Sequence, residues 1–302
     1  MNLAILIPVF NNLAFTKRCL DRIESGLKNN EKSTISRASI IITDDGSTDG
    51  TGEWLSENHK EIIVLKGDGN LWWSGGINMG ARYAVETLKS DFILWWNNDI
   101  EPREDYFKNL FNRIALNPPK NVIGSKIFMK NTNKIWGYGG YFSQKNGKKG
   151  MYGNWEDDKP EYQTEKLVDW LPGMGSIFPA EIFKKIGYLD QQRFPQYHGD
   201  SDYTLRAKEN GYTITVCPDL VLFNDTSNSG LRHDNTFKVL KKSITSIKSN
   251  YNIKKEWMFY RLHSQSILTY RGFFSKFVRY IGGFIKWKVL EFFGVKRKAR
   301  QL

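Results

Sequence analysis

Between Leu3 and Ala115 the chain alternates short apolar runs with stretches of helical periodicity, and few folds accept that alternation. The spacing predicts strands at Leu3–Val9, Ser39–Thr43, Glu61–Lys66 and Asp91–Trp96. Helices are predicted at Ala14–Leu27, Asp49–Asn58, Gly75–Leu88 and Glu104–Ala115. Strands linked by helices run parallel, because the crossover must carry the chain back to the same end of the sheet. The expected fold is therefore α/β, a mainly parallel central sheet flanked by helices. In such sheets ligands bind beyond the carboxyl ends of the strands. Polar clusters stand there: Asn11-Asn12, Asp44-Asp45, Gly67-Asp68-Gly69 and Asn97-Asn98-Asp99. That placement points to a nucleotide site.

The remainder is less regular. Residues 123–170, rich in Gly, Tyr, Trp and Lys, read as an irregular β insertion with loops. A short strand and helix follow over Gly173–Gly187, a helix begins near Asp200, and a strand is expected at Tyr212–Cys217. Residues 232–270 look mostly helical, and Phe273–Phe293 forms an aromatic, basic helix candidate. The expected division is a catalytic domain over 1–231 and a C-terminal helical extension over 232–302.

Charge sharpens this division. The net charge is +12, and the stretch from Arg271 onward holds nine basic residues against the single acid Glu291. The body is thus nearly neutral, and the basicity belongs to the tail. Cys19 and Cys217 form no CxxC pattern, which favours a reduced, cytoplasmic setting over a disulfide scaffold or a zinc knuckle. The apolar opening is short, lacks a basic flank and is broken by Pro8, so it reads as a buried strand rather than a signal peptide.

The run Asp44-Asp45-Gly46-Ser47-Thr48-Asp49 ends a strand and enters a helix. Carboxylates here can accept hydrogen bonds from a pyrimidine N–H and from ribose hydroxyls; alternatively Ser47, Thr48 and Asp49 cap the helix. Trp95-Trp96-Asn97-Asn98-Asp99 places oxygen ligands at the end of a buried strand, where a hard cation can bridge two phosphates. A turn is the simpler reading of Asn97-Asn98. His198-Gly199-Asp200-Ser201-Asp202 opens a helix, and Asp202 stands four residues before Arg206, the spacing of a helical ion pair. Trp72, Trp73 and Trp170 offer faces that stack on sugar rings, although most tryptophans fill cores.

Taken in order, Ile7-Pro8-Val9-Phe10-Asn11-Asn12, the Asp-Asp-Gly-Ser-Thr-Asp run, Asn70 with Gly75, Gly76, Asn78 and Gly80, Asn97-Asn98-Asp99, and Gly199-Asp200-Ser201-Asp202 resemble glycosyltransferase family 2, whose members have a GT-A fold. The resemblance covers about three-quarters of the chain. It implies inverting transfer of a sugar from a nucleoside diphosphate, UDP- or dTDP-linked, to a glycan or lipid-linked acceptor in surface polysaccharide assembly. Rhamnosyl transfer from dTDP-rhamnose is one candidate. By the same resemblance the donor site comprises Pro8, Val9, Asn11, Asp44, Asp45, Gly69, Asn70, Asn78, Asn97 and Asn98, with Asp45 at the base. Asp99 and Asn224 would hold Mg²⁺ or Mn²⁺, and Asp200 would be the catalytic base. Trp73, Trp170, His198 and Asp202 would meet the acceptor. The sequence departs from the family at three points: Asn97 replaces the first aspartate of its Asp-x-Asp motif, Gly199 replaces a frequent Glu, and Asn224 replaces a frequent His. The polar segment Phe223–Gly230 is expected either to contact the diphosphate or to be a plain loop.

Other classes fit less well. A dinucleotide oxidoreductase needs G-x-G-x-x-G after a strand, and Trp72 stands where the third glycine belongs. A nucleic-acid-binding protein would carry basic surface on the body, and the tail is too apolar for a phosphate-binding arm. A non-catalytic sugar-binding relative remains the alternative, opposed by the retained Asp45, Asp99 and Asp200. In the tail, Phe273, Phe274, Phe277, Ile281, Phe284, Ile285, Trp287, Leu290 and Phe293 are interspersed with lysines and arginines. Charges so placed disfavour a membrane span and suit a helix lying in the interface, attached at the inner face of the cytoplasmic membrane. The bland reading is that these aromatics pack on the catalytic domain.

Overall fold

The computed structural model describes residues 1–30, 35–116, 120–225 and 236–295. The strands are β1 Asn2–Val9, β2 Arg37–Asp44, β3 Ile63–Lys66, β4 Phe92–Trp95, β5 Ile100–Pro102, β6 Asn121–Met129, β7 Ile135–Gly137, β8 Gly140–Phe142, β9 Lys149–Met151, β10 Lys166–Leu167, β11 Ser176–Pro179 and β12 Thr213–Asn224. The α-helices are α1 Leu13–Lys28, α2 Thr51–Asn58, α3 Trp72–Glu86, α4 Tyr106–Leu116, α5 Glu181–Ile186, α6 Gly199–Glu209, α7 Phe237–Thr245, α8 Ile253–His263 and α9 Tyr270–Phe292.

The main sheet runs β10-β12-β6-β11-β4-β1-β2-β3. Pairs β1–β2, β1–β4, β2–β3 and β6–β12 are parallel, while β11 is antiparallel to both β4 and β6. Because two reversals restore direction, β6 and β12 point the same way as β1, β2 and β4. The carboxyl ends of six strands, β3 included, therefore share one edge with the amino end of β11. This is the GT-A-type α/β fold.

Strand side chains alternate between the faces, and each face has its own core. Leu3, Ile5, Ile7, Ile42, Leu94 and Trp96 pack with α1 and α4. Ala4, Leu6, Ile41, Ile93 and Trp95 pack with α3, α5 and α6. The adjacent Trp95 and Trp96 thus serve opposite layers.

Two elements differ from expectation. The stretch read as an irregular insertion contains β6, a nine-residue strand well inside the sheet. Its signal was masked by Gly124, where a Cβ would lie 2.3 Å from Leu171, and by Lys126, buried at 2% exposure and bound to Asp158 at 3.0 Å. Strand β12 runs on beyond Cys217 to Asn224 because a register shift between Cys217 and Val221 absorbs Pro218. The expected domain boundary at 231/232 lies outside the described residues.

The C-terminal helices share a third core with the catalytic body. Phe259, Tyr260, Phe273 and Phe277 pack against Phe142, Trp170, Phe194 and Leu205. The hairpin β8–β9 meets the start of α9 backbone to backbone: a Cβ on Gly147 would lie 1.7 Å from the Thr269 carbonyl oxygen. Tyr260 adds a hydrogen bond from its hydroxyl to the Gly147 carbonyl at 2.6 Å. Farther along α9, Tyr280 stacks on Tyr251 and Phe284 meets Phe237, while Phe274, Val278, Ile285, Val289 and Phe292 are 50–85% exposed. The packing reading holds for Phe273 and Phe277, while the other face of α9 is exposed. Among the described residues no helix is long and apolar enough to cross a membrane.

Candidate active site

The shared edge collects the predicted donor residues. Asn11 and Asn12 follow β1 in the left-handed region, at φ 59° and 63°, a conformation Asn tolerates better than most residues. Asn11 is tied to the β2 loop: its amide donates to Ser47 Oγ at 2.7 Å, and its Oδ1 accepts from the Thr48 amide at 2.8 Å. Asp49 does the capping, accepting from the amides of Leu13 at 2.8 Å and Thr51 at 3.2 Å. The hydrogen bond from the Thr51 hydroxyl contributes most to holding its carboxyl below the usual range.

The adjacent aspartates are both supplied with donors. Asp44 accepts from the Ser47 amide at 2.9 Å. Asp45 accepts from the amides of Gly69 at 2.8 Å and Trp72 at 3.0 Å. Asp45 therefore shapes the loop between β3 and α3, whose Gly69 and Trp72 both adopt positive φ. Asn70 is exposed on that loop, and Pro8 packs close beneath Gly76. The Val9 side chain belongs to the core, and its carbonyl accepts from the Asp45 amide at 2.9 Å.

Asp99 and Asn224 come together where β12 pairs with β5, with Asn224 opposite Ile100. The Asp225 amide donates to the Asp99 carbonyl at 3.1 Å. Asp99 Oδ1 and Asn224 Oδ1 are both buried without a hydrogen-bond partner among the described residues. Each such orphan costs about 1–3 kcal/mol. Burial, with the nearby charge of Asp225 adding to it, raises the Asp99 pKa to about 6. Oxygen ligands of this kind, one from a carboxylate, suit a hard divalent cation. A separate cluster of Glu24, His59 and Glu61 sits before β3, at the opposite edge of the sheet, and His59 Nδ1 lies 2.9 Å from Glu24 Oε1.

Asn97 is held by Trp73, whose Nε1 donates to its Oδ1 at 2.9 Å. The same indole lies over Gly173, where a Cβ would stand 2.1 Å from the ring. The Gly173 amide donates to Asp200 Oδ2 at 3.0 Å, and the Ser201 amide donates to Oδ1 at 2.7 Å. Trp73 thus forms a strut between the Asn97 end and the Asp200 end of the site. Asp200 lies in the first turn of α6, half-buried, and burial raises its pKa while these amides and Lys149 oppose the rise. Gly199 has a steric reason here: a Cβ would lie 2.3 Å from Ser74 Oγ.

Five predicted contacts are corrected. Asn78 is buried and fully used, donating to the Leu189 carbonyl at 2.9 Å and to Gln191 Oε1 at 2.7 Å while accepting from the Leu189 amide at 2.9 Å. It braces α3 rather than facing a donor. Asn98 donates to Thr16 Oγ1 at 3.1 Å, turned toward α1. Trp170 is a core residue, with its indole N–H donating to the Tyr141 carbonyl at 3.2 Å. Asp202 is 1% exposed and engaged by Arg206 at 3.0 Å and His263 at 2.9 Å. Burial would raise its pKa, but those two partners outweigh it and lower it. His198 is 8% exposed, with Nδ1 3.1 Å from Lys149 Nζ and Nε2 facing Glu256 Oε2 at 3.2 Å. The Asp202–Arg206 pair is the helical ion pair that the spacing allowed, whereas the partners of Asn78, Asn98, Trp170 and His198, and the His263 contact of Asp202, come from elements distant in sequence. Thr226–Gly230 of the expected diphosphate segment lies outside the described residues. Sequence reasoning missed Lys149 and Glu256, which carry no motif.

The fold and its edge of carboxylates and amides define a glycosyltransferase. The chain belongs to glycosyl transferase family 2, whose model matches residues 4–166, more than half of its length. A curated relative is the low-salt glycan biosynthesis hexosyltransferase Agl10 of Haloferax volcanii, 23% identical over 220 residues, covering 72% of this chain and 68% of the relative. The mannosyltransferase PcManGT of Pyrobaculum calidifontis, solved with GDP-Man and Mn²⁺, superposes with a TM-score of 0.56 at 14% identity, covering 89% of this chain and 66% of that one. GalNAc-T7, solved with UDP, GalNAc and Mn²⁺, gives a TM-score of 0.59 at 12% identity, covering 90% and 56%. The chain thus spans less than two thirds of these two solved structures, and at such identity the likeness concerns the fold.

Proposed function

We propose that this chain transfers a hexose or deoxyhexose from a UDP- or dTDP-sugar to a hydroxyl of a glycan or lipid-linked glycan, inverting the anomeric centre. The observation that carries the reading is that Asp99 and Asn224, at the β5–β12 pairing, each bury a side-chain oxygen without a hydrogen-bond partner among the described residues, on the edge that also holds Asp200 at a helix start. Asp99 and Asn224 would hold Mg²⁺ or Mn²⁺, which offsets charge on the leaving diphosphate. The GDP-Man and Mn²⁺ bound by PcManGT, and the UDP, GalNAc and Mn²⁺ bound by GalNAc-T7, support this arrangement by analogy. The loop shaped by Asp45 borders the nucleotide, and Asn97 meets the donor beside the diphosphate. Asp200 accepts the proton of the acceptor hydroxyl as its oxygen bonds to the anomeric carbon. The bond from that carbon to the diphosphate breaks, and its electron pair leaves with the diphosphate. Burial that raises the proton affinity of Asp200 strengthens it as a base. The test is Asp200→Asn assayed over a panel of nucleotide sugars. Turnover is expected to fall by about 10²–10⁴-fold with donor affinity unchanged. Near-native turnover in the variant would remove Asp200 from the chemistry, and a wild type that turns over no donor would favour a non-catalytic binding relative.

Work at the cytoplasmic face of a membrane suits lipid-linked acceptors. Phe274, Val278, Ile285, Val289 and Phe292 recur at helical spacing along one face of α9, exposed, with Arg271, Arg279 and Lys286 also exposed on the helix. A helix of this pattern lies in the headgroup boundary, with its cations toward anionic lipid at about 1 kcal/mol each. The Lys296–Arg300 cluster falls outside the described residues. Truncation before Phe273 would remove core residues, so the cleaner test replaces Phe274, Ile285 and Val289 together by Ser. Loss of cosedimentation with anionic vesicles at low salt is expected; retained binding would remove this face from membrane contact.

A further inference from the structure

Lys149, at the start of β9, stands beside the first turn of α6 without a direct carboxylate partner in its hydrogen bonds. Its ammonium lies 3.1 Å from His198 Nδ1 and 3.1 Å from Ser201 Oγ, and 3.6 Å from the centre of the Phe259 ring. Burial depresses the His198 pKa to about 4, so the imidazole is neutral near pH 7. Since Lys149 donates to Nδ1, the ring proton sits on Nε2, facing Glu256 Oε2 at 3.2 Å. Glu256 is 1% exposed and also pairs with Lys276 of α9. A continuous chain therefore runs from Lys276 on α9 through Glu256 on α8 and His198 to Lys149 and Ser201. The Ser201 amide is one of the two that hold Asp200.

A cation beside a helix amino terminus is disfavoured by the helix dipole, so its presence there needs a counter-charge. Two anions supply it, Glu256 from the C-terminal helices and Asp200 itself. We propose that Lys149 is a positioning residue for Asp200, fixed in place by His198 and Glu256, so that the C-terminal helices hold the proton acceptor in its working geometry. This rests on the reading of Asp200 as the base. Lys149 does not reach the reacting atoms; it orients the first turn of α6 and favours the ionised carboxylate. The titratable groups around the pair are few. Lys149 faces Glu256, Lys276, Asp200 and Asp202, of which Asp202 is already matched by Arg206 and His263. Asp200 meets Lys149 and the amides of Ser201 and Gly173.

The experiment is the pH profile of kcat/KM for Lys149→Met and Lys149→Arg, with Lys149→Gln as the uncharged polar replacement where methionine unfolds the chain. Without the cation, Asp200 binds its proton more tightly. The acid limb is then expected to move up by about one pH unit, giving about a tenfold loss below it and recovery to within a few-fold above it. Lys149→Arg should keep the wild-type limb, and the donor KM should not change in any of the three. An acid limb unmoved in the uncharged variants, or moved equally in Lys149→Arg, overturns the role of Lys149. Asp200→Asn measured alongside separates the two ideas: near-native turnover there sinks the base assignment itself, whereas an inactive Asp200→Asn with an unmoved Lys149→Met limb sinks only this inference.

Discussion

Asp45 and Asp200 are each held by two backbone amides, yet the surroundings of the two carboxylates differ. Around Asp45 every contact described comes from neighbouring loops between β1 and α3, all within the stretch that the family model matches. Asp200 lies beyond that stretch, and the contacts behind it come from β9, α8 and α9. The contacts of Asp45 are thus local in the chain, whereas α6 is secured by β9 and by the C-terminal helices, far from it in sequence. On the proposed reading, the Trp73 strut is the mechanical link between the donor side and the acceptor side.

The largest test of that comparison is Phe273→Ala. This residue fills the core under α6, and truncation should cost about 3–5 kcal/mol in urea unfolding. Phe274→Ala, one residue on and 59% exposed, should change stability by less than about 0.5 kcal/mol. The comparison sharpens if folded Phe273→Ala still binds nucleotide in calorimetry while turnover falls, and it breaks if both fall together. Next is Asp99→Ala, which should lower kcat/KM by about 10²–10³-fold, the equivalent of several kcal/mol, with metal and donor binding both weakened and no rescue by added metal. Full wild-type activity in excess EDTA would instead point to stabilisation of the diphosphate by protein groups alone.

A smaller effect separates the regions by pH. Burial lowers the His198 pKa to about 4 in the fold, against an ordinary value of 6.5. The unfolded chain takes up this proton below about pH 6.5 and the folded one does not, so stability present above that value is lost as pH falls toward about 4. Between pH 7 and pH 5 the loss should reach about 1–2 kcal/mol, and His198→Gln should flatten that slope in urea titrations while Asp45→Asn leaves it intact. Smallest is Trp73→Phe, which keeps the ring over Gly173 but removes the hydrogen bond to Asn97. It should cost about 1 kcal/mol, read as roughly a fivefold loss in kcat/KM; an unchanged value would mean that Asn97 is placed without the strut.

The fold was legible where periodicity and polarity coincide. Strands β1, β2 and β4 were bounded by their apolar runs, and the residues after them sit on the shared edge as expected. The register of Asp45 and Asp99 on that edge followed from the same pattern. Strand β6 was not legible, because Gly124 and Lys126 break an apolar run for reasons of close packing and a buried ion pair that involve residues 32–47 positions away. Asn78, Trp170, Asp202 and His198 have the residue types of a site, and only their tertiary partners reveal that they brace it. Lys149 and Glu256 have ordinary types in ordinary surroundings, so nothing local marked them.

The chain of contacts behind Asp200 also orders events in time. A growing chain delivers Asp45, Asp99 and Asp200 well before Glu256 and His263 exist to meet His198 and Asp202. At roughly 5–20 residues per second, the interval between Asp202 and His263 lasts about 3–12 seconds. Once Asn224 has followed, the residues proposed to grip a donor are all made, while the helix proposed to activate the acceptor still lacks Glu256 and His263. Synthesis itself therefore completes the two halves in sequence, grip before chemistry.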